Sequence, residues 1–187
     1  MINKAMEFAR GVFEGDASGH DFDHTLRVFH TATRLAQEEG ADMETVQLAA
    51  LLHDVDDRKL SPETYEGKLR AVNFLKENNI EEDKIREIIC IISHISFSAQ
   101  LPPPESIEGK CVQDADRLDA LGAIGIARTF AFGGAKNRPL EESLAHFDEK
   151  LLLLYDLLST DAAKTLAKPR WEFLKQFYRQ YKQEQEI

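Results

Sequence analysis

The side chains with the most chemical reach in this sequence are six histidines set among an excess of carboxylates. His53 and Asp54 stand side by side where an apolar run meets charge, in LAALLHDVDDRK. His24 lies in HDFDHTLRVFH, His94 closes EEDKIREIICIISH, and Asp116 belongs to QDADRLDALGAIGIAR. Imidazole and carboxylate groups at the ends of apolar helices are costly to bury unless they are paired or bound to a cation. Neighbours on a helix point about 100° apart, so His53 and Asp54 cannot share one face. Two origins fit such a pair: a helix that leaves the core and ends in charge, or a metal ion at the helix end held by both residues with help from elsewhere. Together His24, His53, Asp54 and Asp116 offer two imidazoles and two carboxylates. That mixed set suits a divalent Mn, Fe, Co, Ni or Zn ion, with Mg a weaker fit. Four protein ligands leave an octahedron open for water and a substrate oxygen, which is what metal-assisted hydrolysis needs.

The elements that must carry these residues read as helices throughout, because no window alternates as a strand does. Met6, Ala9, Val12 and Phe13 space a first helix that ends near Gly15. A second is predicted over Phe22–Glu39 with Gly40 as its stop, and a third starts at the cap Asp42 and runs to His53. Ser61-Pro62 opens a fourth that passes through Leu69, Val72 and Leu75, and Glu81–Ile95 forms a fifth. The three prolines of LPPPE force an exposed, non-helical connection. A sixth helix runs through Val112, Leu118 and Ile124 to Gly133-Gly134. Leu140–Leu158 and Asp161–Glu186 complete the set, the last bent or interrupted at Pro169. Without repeats or a long linker, residues 1–187 are expected to form one all-α domain.

Composition narrows the functional classes. The 187 residues are 43% hydrophobic and 30% charged, as in an ordinary soluble domain. A net charge of -10 argues against a nucleic acid partner, yet a small phosphorylated substrate remains compatible because a bound cation can reverse the local field. Two cysteines, Cys90 and Cys111, are too few for a disulfide framework. The N-terminus lacks a signal-peptide core and the apolar runs are shorter than a membrane span, so the expected setting is the cytoplasm, with no membrane partner. A homodimer is left open.

The blocks GHDFDHTLRV, LLHDVDDRK, IISHISFS and QDADRLDALGAIGIARTFAFGG, with the tail HFDEKLLLLYDLLSTDAAKTLAKPRWEFLKQF, resemble the HD superfamily of metal-dependent phosphohydrolases. The likeness is to a small single-domain bacterial and archaeal group, and it spans nearly the whole chain. It implies an HD-type helical bundle in which His24, His53, Asp54 and Asp116 are the metal ligands. The Gly-Tyr-Pro extension of the cyclic-di-GMP-degrading branch is absent, since Val55-Asp56-Asp57 follows the pair, and the extra histidines of dinuclear branches are not evident. One divalent ion is therefore expected.

Other residues fall around that frame. His94 is read as a catalytic group, a proton donor, a phosphate contact or a partner supporting the ligands, with a polar helix end as the plain alternative, and Asp54 as both ligand and orienter of water. His20, Lys59, Arg117 and Arg128 are candidate substrate contacts, while Asp114 and Asp119 suit caps or ion pairs. The loop Gly133–Pro139 offers basic residues for a lid over phosphate, though a helix stop followed by a linker explains it as well. His30 and His146 are read as structural. The expected activity is hydrolysis of a phosphoester or phosphoanhydride bond in a nucleotide. The alternatives are a nucleoside triphosphate pyrophosphohydrolase and a non-catalytic metal- and nucleotide-binding sensor.

Overall fold

Caps decide where the helices that carry the histidines begin. In the computed structural model, which describes residues 1–14, 21–58, 61–95 and 102–185, α1 spans Ile2–Val12 and α2 spans Phe22–Glu39. Asp21 caps α2 by accepting the His24 amide at 2.8 Å, and Gly40 ends it in the left-handed conformation at φ 71°. That stop is the predicted one, and glycine is used because a Cβ is disfavoured there. Helix α3, Met43–Leu52, is capped by Asp42, whose carboxylate accepts the Thr45 amide at 2.9 Å.

The next elements are α4 (Pro62–Tyr65), α5 (Leu69–Glu77), α6 (Glu82–Ser93) and α7 (Ile107–Asp119). The fourth predicted helix is thus two. Gly67 at φ 78° and Lys68 at φ 53° turn the chain left-handed between them, a break that apolar spacing does not reveal. Between α6 and α7 the polyproline connection is non-helical, as predicted, but Pro104 is buried. Its ring lies where a Cβ on Gly109 would come within 2.4 Å of it.

By its contacts the chain divides into two units, Met1–Ala115 and Asp116–Ile187. The first is organised around α3, which packs on α1, α2 and α6. Leu48 to Leu52 are fully buried without interruption. A helix that is apolar all round is one enclosed by its neighbours. Truncating one of these leucines to alanine would cost about 2–5 kcal/mol.

The second unit contains α8 (Gly122–Ala135), α9 (Leu140–Glu149), a single 3-10 turn at Leu151–Leu153, and α10 (Asp161–Gln185). The predicted sixth helix breaks at Gly122, which takes φ 72° and lies so close to Arg170 that a Cβ would meet that side chain at 3.1 Å. Helix α10 packs on α8, and Phe147 is fully buried beneath Phe177 and Tyr178. Pro169 does not interrupt α10. The two residues after it anchor the helix instead: Arg170 donates to the Leu118 carbonyl at 2.9 Å and Trp171 to that of Leu152 at 3.1 Å. No strand occurs among the described residues, and none of their helices is long and apolar enough to cross a membrane.

The Asp42 cap gives a pH-dependent test of this arrangement. Hydrogen bonds from Thr45, and to a smaller extent Lys84, hold its carboxyl below the ordinary carboxylate range. A lowered value in the folded protein means stability present above the unfolded value and lost as pH falls through the folded one. Asp42→Ala should therefore lower unfolding free energy by about 1 kcal/mol near neutral pH. Urea unfolding should show the gap to the unmodified protein narrowing between about pH 5 and pH 2.

Candidate functional site

Three of the four residues expected to hold a metal converge in the first unit. His24 sits in the first turn of α2, fixed by the Asp21 cap, and is 0% exposed. His53 is the last residue of the α3 turn and is 4% exposed, with Asp54 directly after it. The His24 Nε2 atom lies 3.6 Å from Asp54 Oδ2, and His53 Nε2 lies 3.3 Å from the same oxygen. The two rings stand 5.3 Å apart, tilted by 68°. One donor atom from each residue falls within 4.8 Å of the others.

The hydrogen bond behind His53 determines what it presents in front. Its Nδ1 is 2.8 Å from the Ala50 carbonyl oxygen. A carbonyl only accepts, so Nδ1 donates and a neutral ring presents the Nε2 lone pair to Asp54. A nitrogen lone pair and a carboxylate oxygen at 3.3 Å repel unless a cation lies between them. That cation is either a proton or a metal ion.

The separations suit a metal. Ligand atoms about 2.1 Å from one ion are about 3.0 Å apart at a right angle and about 3.4 Å apart at the tetrahedral angle. The observed 3.3 and 3.6 Å lie close to these edges. The site also adjoins the C-terminus of α3, where the partial negative charge of the helix favours a cation.

Asp116, the fourth expected ligand, opens the second unit on α7 and is partly exposed. His94 caps the C-terminal end of α6 much as His53 caps α3. Its Nδ1 lies 2.8 Å from the Cys90 carbonyl, so Nε2 is again its outward atom, and its own carbonyl accepts from Gln113 at 2.9 Å. It is not a member of the three-residue group.

Among the candidate substrate contacts, Arg117 donates to the Leu157 carbonyl and Arg128 forms an ion pair with buried Asp119 at 2.6 Å. Both guanidiniums thus hold the second unit together. His20 and Lys59 lie outside the described residues. The proposed lid loop is shorter than its sequence suggests, since Gly133 and Gly134 are helical within α8. His30 is exposed and His146 half-buried; burial lowers the His146 imidazole below its ordinary value, aided by Lys150. Burial pushes the Cys111 thiol up to about 12, which removes it as a nucleophile.

Sequence inspection missed Asp56. It is completely buried, and its two carboxylate oxygens accept the amides of Arg70 at 3.1 Å and Ala71 at 3.0 Å. Asp56 therefore caps α5 from a distance, which ties that helix to the segment following His53 and Asp54. The available signal was negative: the position before α5 is a lysine, which cannot accept the first amides.

Known proteins resemble this chain in sequence and in fold. Residues 21–121 match the HD domain family. The uncharacterized protein YpgQ of Bacillus subtilis is 41% identical over 181 residues, covering 92% of this chain and 88% of its own. A crystal structure of Bacillus subtilis YpgQ in complex with ADP aligns with a TM-score of 0.82 at 37% identity, over 98% of this chain and 97% of that one. An HD-superfamily hydrolase from Bacillus thuringiensis aligns with a TM-score of 0.81 at 44% identity, over 100% and 97% of the two chains.

The ring geometry is open to direct measurement. Long-range nitrogen–proton correlation spectra should show His53 Nδ1 protonated, with or without added divalent metal. A neutral His53 carrying its only proton on Nε2 would contradict the assigned orientation.

Proposed function

The chain belongs to the HD domain family, and on that premise we propose that it is a metal-dependent phosphohydrolase acting on a phosphoester or phosphoanhydride bond of a nucleotide. The observation that carries this reading is the convergence of His24 and His53 on one oxygen of Asp54. Family membership and the donor set support a divalent ion held by His24, His53 and Asp54; Asp116 as the fourth ligand, and a single ion, rest on the family likeness alone. The mixed nitrogen and oxygen donors favour Mn, Fe, Co, Ni or Zn over Mg. When bound, such an ion supplies Lewis acidity to a water nucleophile and to a phosphoryl oxygen.

The protein's own groups would do the rest. Asp54 has a second oxygen beside the one facing the imidazoles, and that oxygen can accept a hydrogen bond from the attacking water and so orient it. His94 has its Nδ1 proton turned to a carbonyl, so the ring would have to enter the step as imidazolium, giving its Nε2 proton to the departing oxygen and returning to the neutral form. The nucleotide substrate is supported by likeness to a protein crystallised with ADP. That likeness covers nearly all of both chains, which also supports treating residues 1–187 as one functional domain.

Protein reconstituted with Mn should convert at least one member of a panel of nucleoside mono-, di- and triphosphates, with products identified by phosphorus NMR. Chelation should abolish turnover and Mn should restore it. Metal analysis should find about one ion per chain, reduced severely in His53→Ala. Asp54→Asn should lower turnover by more than about a hundredfold, the upper end for residues that merely support ligands. His94→Ala should retain its metal and lose about a hundredfold or more in rate. Nucleotide binding with metal but no product from any member of the panel would replace the enzyme with a sensor.

A further inference from the structure

Lys68 occupies a backbone conformation that its side chain does not favour. It takes φ 53° and ψ 50°, directly after Gly67 at φ 78°. Asparagine and aspartate enter this region readily because a short polar group can bond to the local backbone, and lysine has no such group. The position is also the N-cap of α5, where an accepting side chain is preferred. Asp56 supplies that acceptor from elsewhere through the Arg70 and Ala71 amides. Local preference has thus been overridden at the cap position, and a cation stands there.

The half-buried side chain turns its ammonium back towards the chain. Its Nζ lies 3.4 Å from the Asp56 carbonyl oxygen and 4.3 Å from the centre of the Tyr65 ring. Burial lowers the Lys68 ammonium below its ordinary value, while the carboxylates of Asp56, Asp54 and Asp57 pull it back up. Both Asp56 oxygens already accept backbone amides, and a carbonyl partner needs only a neutral donor.

A phosphorylated substrate brings further negative charge towards a segment that already holds Asp54, Asp56 and Asp57. A compact ammonium is a common answer to phosphate oxygens, acting as a point charge. We propose that Lys68 is an anion-binding residue of the site, its Nζ contacting a phosphoryl oxygen of the metal-held nucleotide. This assignment rests on the phosphohydrolase reading and deepens it.

The test is calorimetry on the full chain, first with Mn alone and then with ADP in the presence of Mn. Lys68→Met keeps the aliphatic stem, Lys68→Arg keeps the charge, and Lys68→Gly suits the left-handed backbone. Lys68→Met and Lys68→Gly should bind Mn within about twofold of the unmodified protein and lose about tenfold or more in ADP affinity. Lys68→Arg should recover part of that loss, and Lys68→Gly should melt no lower than the unmodified protein, so that lost ADP binding cannot be ascribed to unfolding. Unchanged ADP affinity in both Met and Gly variants would overturn the assignment and leave the enzyme reading intact. Parallel loss of Mn would overturn it too, making Lys68 a support of the metal site. If the unmodified protein binds neither Mn nor ADP, the phosphohydrolase reading fails and this assignment fails with it.

Discussion

The approach of the His24 and His53 imidazoles to a single oxygen of Asp54 is the constraint on which the site depends. His53 Nδ1 is committed to the Ala50 carbonyl, so the ring cannot turn away to relieve the approach of its other nitrogen to Asp54. His24 reaches the same oxygen from a different helix. The buried α3 and the capped start of α2 are what keep the two rings there. Loss of either support would let an imidazole move into solvent, where nothing obliges it to face a carboxylate.

The acidic residues of this chain do different work because they face different donors. Asp21 and Asp42 each cap the helix they precede. Asp56 accepts helix amides 14 and 15 residues further along the chain, and Asp119 holds an arginine. Asp54 faces imidazoles. A net charge of -10 is therefore a poor guide to the local field. Between α4 and α5 a half-buried cation, Lys68, stands beside the Asp56 carbonyl.

In the second unit basic residues satisfy the chain's own acceptors. Arg117, Arg128 and Arg170 donate to a carbonyl, a carboxylate and another carbonyl within that unit. Chain ends of helices leave acceptors that must be satisfied when buried, and a guanidinium can reach several of them. Trp171 uses its indole N–H in the same way. Such contacts explain how α10 continues past Pro169, since the missing amide bond there is offset by anchors immediately after it.

The sequence alone determined the helical class and the limits of α2 and α3. Each of these follows from local chemistry: apolar spacing, a capping carboxylate and a glycine stop. For His24, His53 and Asp54 local chemistry left a charged helix end and a metal site both open; the family likeness singled the residues out, and the fold brings them together. Tertiary structure decided where helices break at Lys68 and Gly122, because those breaks depend on a distant cap and on a close approach by Arg170. It also decided that Asp56 is a buried cap and that Arg117 and Arg128 hold carbonyl and carboxylate partners. No one-dimensional pattern carries that information: a carboxylate or a guanidinium reads the same in sequence whether it meets water, a backbone amide or an ion, and only the folded chain selects the partner.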